Sequence, residues 1–185
     1  MESWRCFVAV PLGDALRATL AGAVEPWRLE PVGPDLRWTD ADSWHVTLNF
    51  LGPMQPTAIP GLIADLHEAV ATQAPFTVAT GGLGTFPGSG RARSVWYGLT
   101  DADGRLATLA AAVGAPNPLQ AHVTLARVRM RYGTRLTEWL DGRAVPPGTI
   151  EVGHIELLRS HLGEGPARYE VLASVPLGGA GSVDD

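Results

Sequence analysis

Apolar residues Trp44, Val46, Leu48 and Phe50 alternate with His45, Thr47 and Asn49. This spacing predicts a strand that buries the first set and presents the second. Upstream, the apolar run Trp4 to Val10 predicts a strand ended by Pro11. Leu16, Leu20 and Val24 then fall at helical spacing behind Asp14 as the cap. Pro26, Pro31 and Pro34 predict a loop that passes through Leu36 to Thr39 into the His45 strand, which closes at Gly52-Pro53. Ile59, Leu62, Ile63, Leu66 and Val70 mark a second amphipathic helix, with Thr57 as its cap and Pro60 in its first turn.

Strands are predicted at 76–79 and 94–99, with a long glycine-rich connection over 80–93 read as a mobile connector. Leu106, Leu109 and Val113 predict a short helix that Pro116 and Pro118 end, followed by a strand at 121–128. Leu136 to Leu140 is read as helical, 153–159 and 169–175 as strands, and 179–185 as a flexible tail. No strict βαβ order emerges, so the fold class is α+β with mostly antiparallel strands.

Composition narrows this picture. A chain of 185 residues with 45% hydrophobic and 18% charged residues suits one domain, taken as residues 1–178 and open to a two-lobed form. The 22 glycines and 15 prolines imply many turns. All 14 basic residues are arginine, the side chain that grips phosphate with a planar fork. A net charge of −5 argues against coating of nucleic acid irrespective of its sequence, so any such contact is local. Cys6 is the single cysteine, which excludes an internal disulfide and a cysteine zinc site, and it is read as core. Neither a signal peptide nor a membrane-length apolar run stands out, and cytoplasm is the expected location.

The tetrapeptide His-Val-Thr-Leu occurs twice, at His45–Leu48 and His122–Leu125. In each copy a strand presents His and Thr on one face, about 7 Å apart. An imidazole and a hydroxyl from each copy suit the oxygens of one phosphate. Histidine titrates near pH 7, so one ring can serve as general acid and the other as general base, without a metal, at a rate that peaks between two pKa values near neutrality. A structural duplication of two sheet strands is the alternative. In the second copy Arg127 and Val128 break simple alternation, which a bulge near Ala126 resolves.

These residues resemble the RNA 2′,3′-cyclic phosphodiesterases, or 2′-5′ RNA ligases, of the two-histidine phosphoesterase superfamily. The resemblance runs from Arg5–Pro11 through Arg37-Trp38, Trp44–Gly52, Gly81–Pro87, Val95-Trp96 and His122–Arg127 to Leu158–Gly163 and Arg168–Leu172. It implies a bilobal α+β fold, two pseudo-symmetric antiparallel sheets with outer helices around a central cleft. It also implies His45 and His122 as the catalytic pair, with Thr47, Thr124 and Arg127 on the phosphate. The implied reaction is cofactor-free and metal-independent: hydrolysis of RNA 2′,3′-cyclic phosphate ends to 2′-phosphate, reversible as 2′-5′ ligation of ends such as tRNA halves. His122 is favoured as base and His45 as acid. The short linker Gly114–Ala121 departs from relatives, which often carry an aromatic residue or proline beside the second histidine.

Phe50 and Arg129 are further candidate substrate contacts, although alternation points Phe50 into the core. Arg127, Arg129, Arg131 and Arg135 form a run suited to an RNA backbone, and Arg91 and Arg93 lie in the glycine-rich connection. His67 is expected to face solvent, and His154 and His161 lack ligand spacing. The expected protein is a monomer acting on RNA ends. The alternatives are a hydrolase of another small cyclic phosphate and an RNA-end binding protein without turnover.

Overall fold

A computed structural model describes residues 2–129, 136–161 and 167–178. In chain order the elements are β1 (Trp4–Pro11), α1 (Asp14–Arg28), β2 (Leu36–Trp38), β3 (His45–Met54), α2 (Ile59–Val70), β4 (Phe76–Phe86) and β5 (Ser94–Thr100). They continue as α3 (Arg105–Ala112), β6 (His122–Val128), α4 (Thr137–Leu140), β7 (Thr149–Val152), β8 (His154–His161) and β9 (Arg168–Pro176).

The strands run in the order β7-β4-β5-β6-β3-β1-β8-β9, with β2 also paired to β6. The paired strands are antiparallel throughout the ladders. The two expected sheets are present as lobes, β3-β1-β8-β9 and β6-β5-β4-β7. They are fused edge to edge through one residue pair, Val46 opposite Val123. Helices α1, α2 and α3 bury Leu20, Val24, Leu66, Val70, Leu106 and Leu109 in an apolar core shared by both lobes. Cys6 lies in that core, 2% exposed. No described helix is long and apolar enough to cross a membrane.

Several boundaries differ from the sequence expectation for local physical reasons. Helix α1 begins at Asp14 behind an extended Gly13, so Asp14 sits in the first turn, where its charge suits the helix N-terminus, instead of capping it. The same helix runs through Pro26 to Arg28, because a proline near the last turn forfeits only one backbone bond. Thr57 lies in a 3-10 turn, and Ala58 occupies the cap position of α2.

The glycine-rich segment is the largest correction. Strand β4 continues through Gly81, Gly82 and Gly84 to Phe86, leaving only 87–93 as connection. Here Gly84 makes room: a Cβ on it would fall 2.2 Å from the Trp96 ring, so the indole lies directly on the sheet. The short strand β7, missed from sequence, pairs Thr149–Val152 with Phe76–Ala79. The predicted tail and Arg131 and Arg135 fall outside the described residues.

Candidate active site

The pairing of Val46 with Val123 sets the geometry of the site. Both valines are buried, so their neighbours point to the opposite, concave face. Antiparallel register then places His45 across from Thr124, and Thr47 across from His122. Cross-strand neighbours of this kind lie about 5 Å apart and diagonal ones about 7–8 Å apart. The two His-x-Thr motifs thus form a square with the histidines on one diagonal. They line one cavity of about 600 Å³ together with Phe7, Phe50, Phe86, Arg5, Arg37 and Arg127.

Each motif is followed by the same irregularity. In β3 the ladder to β1 steps from Thr47 to Asn49 and skips Leu48. In β6 the ladder to β5 steps from Thr124 to Ala126 and skips Leu125. The extra residue reverses the alternation. Asn49 and Ala126 therefore turn inward, while Phe50 and Arg127 turn towards the cleft. The bulge expected near Ala126 is thus found at Leu125. The core position expected for Phe50 is corrected: its ring is 71% exposed and packs 6.1 Å from Phe7. Asn49 is held inside by its Nδ2, which donates to the Val113 carbonyl at 2.8 Å.

Backbone carbonyls fix both imidazoles. His45 Nδ1–H donates to Ser43 O at 2.7 Å, and His122 Nδ1–H donates to Gln120 O at 2.6 Å. Each neutral ring therefore carries its lone pair on Nε2. That of His45 accepts from the Thr47 hydroxyl at 3.1 Å. Aromatic rings hem both imidazoles in: Phe7 and Tyr169 lie 4.9 and 5.2 Å from His45, and Phe86 lies 4.8 Å from His122. The resulting burial pushes the His45 pKa down to about 4, with the charges of His122 and Arg127 adding to the effect. Burial and then Arg127 also lower the pKa of His122. Both rings are accordingly neutral at pH 7, and they titrate below the near-neutral range of unperturbed histidines.

The lobes are tied together beside the site. Trp44 Nε1, adjacent to His45, donates to Thr39 Oγ1 at 2.7 Å, and that hydroxyl lies 2.8 Å from the carbonyls of Thr124 and Leu125. Thr39 thereby satisfies the backbone at the β6 bulge and holds one motif against the other.

Two cleft residues were missed as contacts, Arg5 and Arg37. Arg37 lies directly opposite Arg127 in the β2–β6 ladder. Like charges in that position repel unless an anion lies between them. Among the described residues lining the cavity there is no carboxylate, and Arg5, Arg37 and Arg127 make no ion pair. Leu36 to Thr39 reads as loop in the sequence, and the pairing of Arg37 with Arg127 is long-range and invisible in the chain. Arg129 does not line the cleft, because its Nε donates to the Leu36 carbonyl. Arg91 and Arg93 also lie outside the lining. His67 is exposed, and His161 Nε2 lies 2.8 Å from Glu170.

Fold and site together define a two-histidine phosphoesterase, in which two related lobes offer matched His-x-Thr strands to one cleft. The family model of the LigT-like phosphoesterases matches residues 10–97. An RNA 2′,3′-cyclic phosphodiesterase of Aquifex aeolicus is 30% identical over 155 residues, covering 77% of this chain and 82% of the relative. This chain belongs to that family. Among solved structures, TT0787 of Thermus thermophilus superposes with a TM-score of 0.77 at 26% identity, covering 95% of this chain and 98% of the other. Apo LigT of E. coli superposes at 0.72 and 25% identity, covering 96% and 99%.

Proposed function

We propose that the protein hydrolyses 2′,3′-cyclic phosphate ends of RNA to 2′-phosphates, using His122 as general base and His45 as general acid. The diagonal square of His45, Thr47, His122 and Thr124, set by one valine pair, carries this reading. The names of its curated relatives support the substrate class.

The neutral His122 ring has no hydrogen-bonding partner at Nε2 among the described residues, so its lone pair is free to take a proton from water. The water oxygen then bonds to phosphorus in line with the departing 3′-oxygen. As that P–O bond breaks, His45 Nε2–H protonates the oxygen, leaving a 2′-phosphate. A ring that holds its proton weakly is a strong acid once loaded, and the substrate's negative charge favours the loading. Thr47, Thr124 and Arg127 bear on the non-bridging oxygens, where donors stabilise the charge that develops in the transition state. Reversal with a 5′-hydroxyl in place of water gives a 2′-5′ bond.

The two imidazoles supply both proton transfers, and the lining offers no carboxylate to a hard cation, which supports a metal-independent reaction. Both motifs come from one chain, which supports action as a monomer. Cytoplasmic RNA ends such as tRNA fragments complete the reading.

The test is hydrolysis of a short RNA ending in 2′,3′-cyclic phosphate, with chelator present and the product isomer identified. The reading expects a 2′-phosphate at a rate the chelator leaves unchanged. A 3′-phosphate product or loss of the rate in chelator contradicts the mechanism. Binding without turnover makes the protein an RNA-end binder, and turnover confined to small cyclic phosphates changes its substrate.

A further inference from the structure

A second cavity, of about 420 Å³, adjoins the cleft. Ser43, His45 and Tyr169 line both, so the two basins share a wall. The wall is aromatic, since the Tyr169 ring meets the His45 ring edge-on at 5.2 Å. Beyond it, Pro11, Leu158 and Val171 make an apolar surface, and Val171 is 51% exposed. Two carboxylates, Asp42 and Glu156, also line this basin. Neither pairs with an arginine among the described residues: Glu156 lies 3.9 Å from the His154 imidazole, although its side chain is only 20% exposed. Arg168 stands exposed at the rim, without an ion pair among the described residues.

A ligand for this basin must therefore offer N–H donors to the carboxylates, a flat apolar face to Tyr169 and Val171, and an anion to Arg168. A nucleotide combines all three. The basin adjoins His45, the acid in the proposed reaction, and the acid sits beside the ribose whose 3′-oxygen departs. The RNA chain 5′ to the reacting end accordingly leaves the cleft on this side. We infer that the second basin holds the nucleotide immediately upstream of the cyclic phosphate end, which makes the protein selective for oligoribonucleotides over mononucleotides. This inference rests on the reading of the cleft given above.

Alanine substitution puts base–aromatic stacking at about 5- to 160-fold in affinity per base. The expected kcat/KM of wild-type protein is therefore at least about 10-fold higher for a dinucleotide 2′,3′-cyclic phosphate than for a nucleoside 2′,3′-cyclic phosphate, chiefly through KM. Val171→Glu, an exposed position filled with an anionic side chain, is expected to abolish the advantage and leave the mononucleotide rate unchanged. Arg168→Ala is expected to reduce it and to weaken its salt dependence. Equal kcat/KM for the two substrates in wild type overturns the inference, as does an equal loss on both substrates in either variant.

Calorimetric binding of the corresponding 2′-phosphate products separates this inference from the cleft chemistry. A dinucleotide advantage in affinity that Val171→Glu removes, with neither cyclic phosphate cleaved, upholds the basin and overturns the hydrolysis. Cleavage of both with equal affinities does the reverse.

Discussion

Strands β3 and β6 carry the same tetrapeptide, the same bulge and the same carbonyl clamp on the imidazole, yet they build unlike halves of one site. The residue that each bulge turns outward is Phe50 in one lobe and Arg127 in the other. Because the strands are antiparallel, the aromatic Phe50 and the cationic Arg127 lie towards opposite ends of the cleft. The histidines differ as well. Burial holds His45 down to about 4, and Thr47 occupies its Nε2. His122 is lowered too, but its Nε2 is not engaged by the protein among the described residues. In the proposed reaction the duplicated motif grips phosphate from both sides, and the flanking residues supply the asymmetry that acid–base catalysis requires.

The largest test of this comparison removes the histidines. His45→Ala and His122→Ala are each expected to lower kcat by about 10²- to 10⁴-fold, since each ring transfers one proton. The double variant should be little slower than the worse single one, because the pair acts as a unit. Single-turnover assays read both, and a double loss equal to the product of the singles would separate the two roles.

Next are the hydroxyls. Thr47→Val and Thr124→Val keep the shape of the strand and remove a donor, with about 10²-fold expected in kcat for each. A loss confined to KM would show that the threonines bind the ground state alone.

The flanking residues sharpen the contrast with smaller effects. Phe50→Ala is expected to raise KM about 10-fold through lost stacking. Arg127→Ala raises KM and also moves the pH profile. Arg127 lowers both histidine pKa values, so its removal raises them and shifts the acidic limb of kcat/KM towards neutrality.

The smallest effect concerns pH in the wild type. Both histidines are depressed below 6.5 in the free protein, so kcat/KM should peak below pH 6.5 and fall as the acid loses its proton above that. The kcat profile reports the loaded cleft, where the phosphate charge favours imidazolium, and should lie at higher pH than the kcat/KM profile. Coincident profiles would show that substrate charge does not reach the histidines.

Much of this was legible in the chain. The His-Val-Thr-Leu repeat pointed to both strands and to four residues that line the cleft, since period-two alternation depends only on neighbours. Register was not legible. The bulge at Leu48 arises from where Asn49 finds the Val113 carbonyl, a contact made through the end of α3. Simple alternation therefore sent Phe50 inward. The glycine-rich stretch read as a loop because its glycines carry no local signal for a strand. Gly84 among them makes room for the Trp96 ring from the neighbouring strand β5, and Gly82 takes a positive φ where the ladder to β5 is irregular. Arg37 became visible only when β2 was seen to take the edge of β6 that β3 leaves beyond Val123.

The central claim is that two identical motifs do opposite proton chemistry. It is tested most directly with an RNA whose terminal cyclic phosphate carries sulfur in place of the 3′-bridging oxygen, because a departing thiolate needs no proton. The account predicts that this substrate restores the rate of His45→Ala towards wild type and leaves His122→Ala slow. Restoration in His122→Ala, or in neither variant, would contradict it.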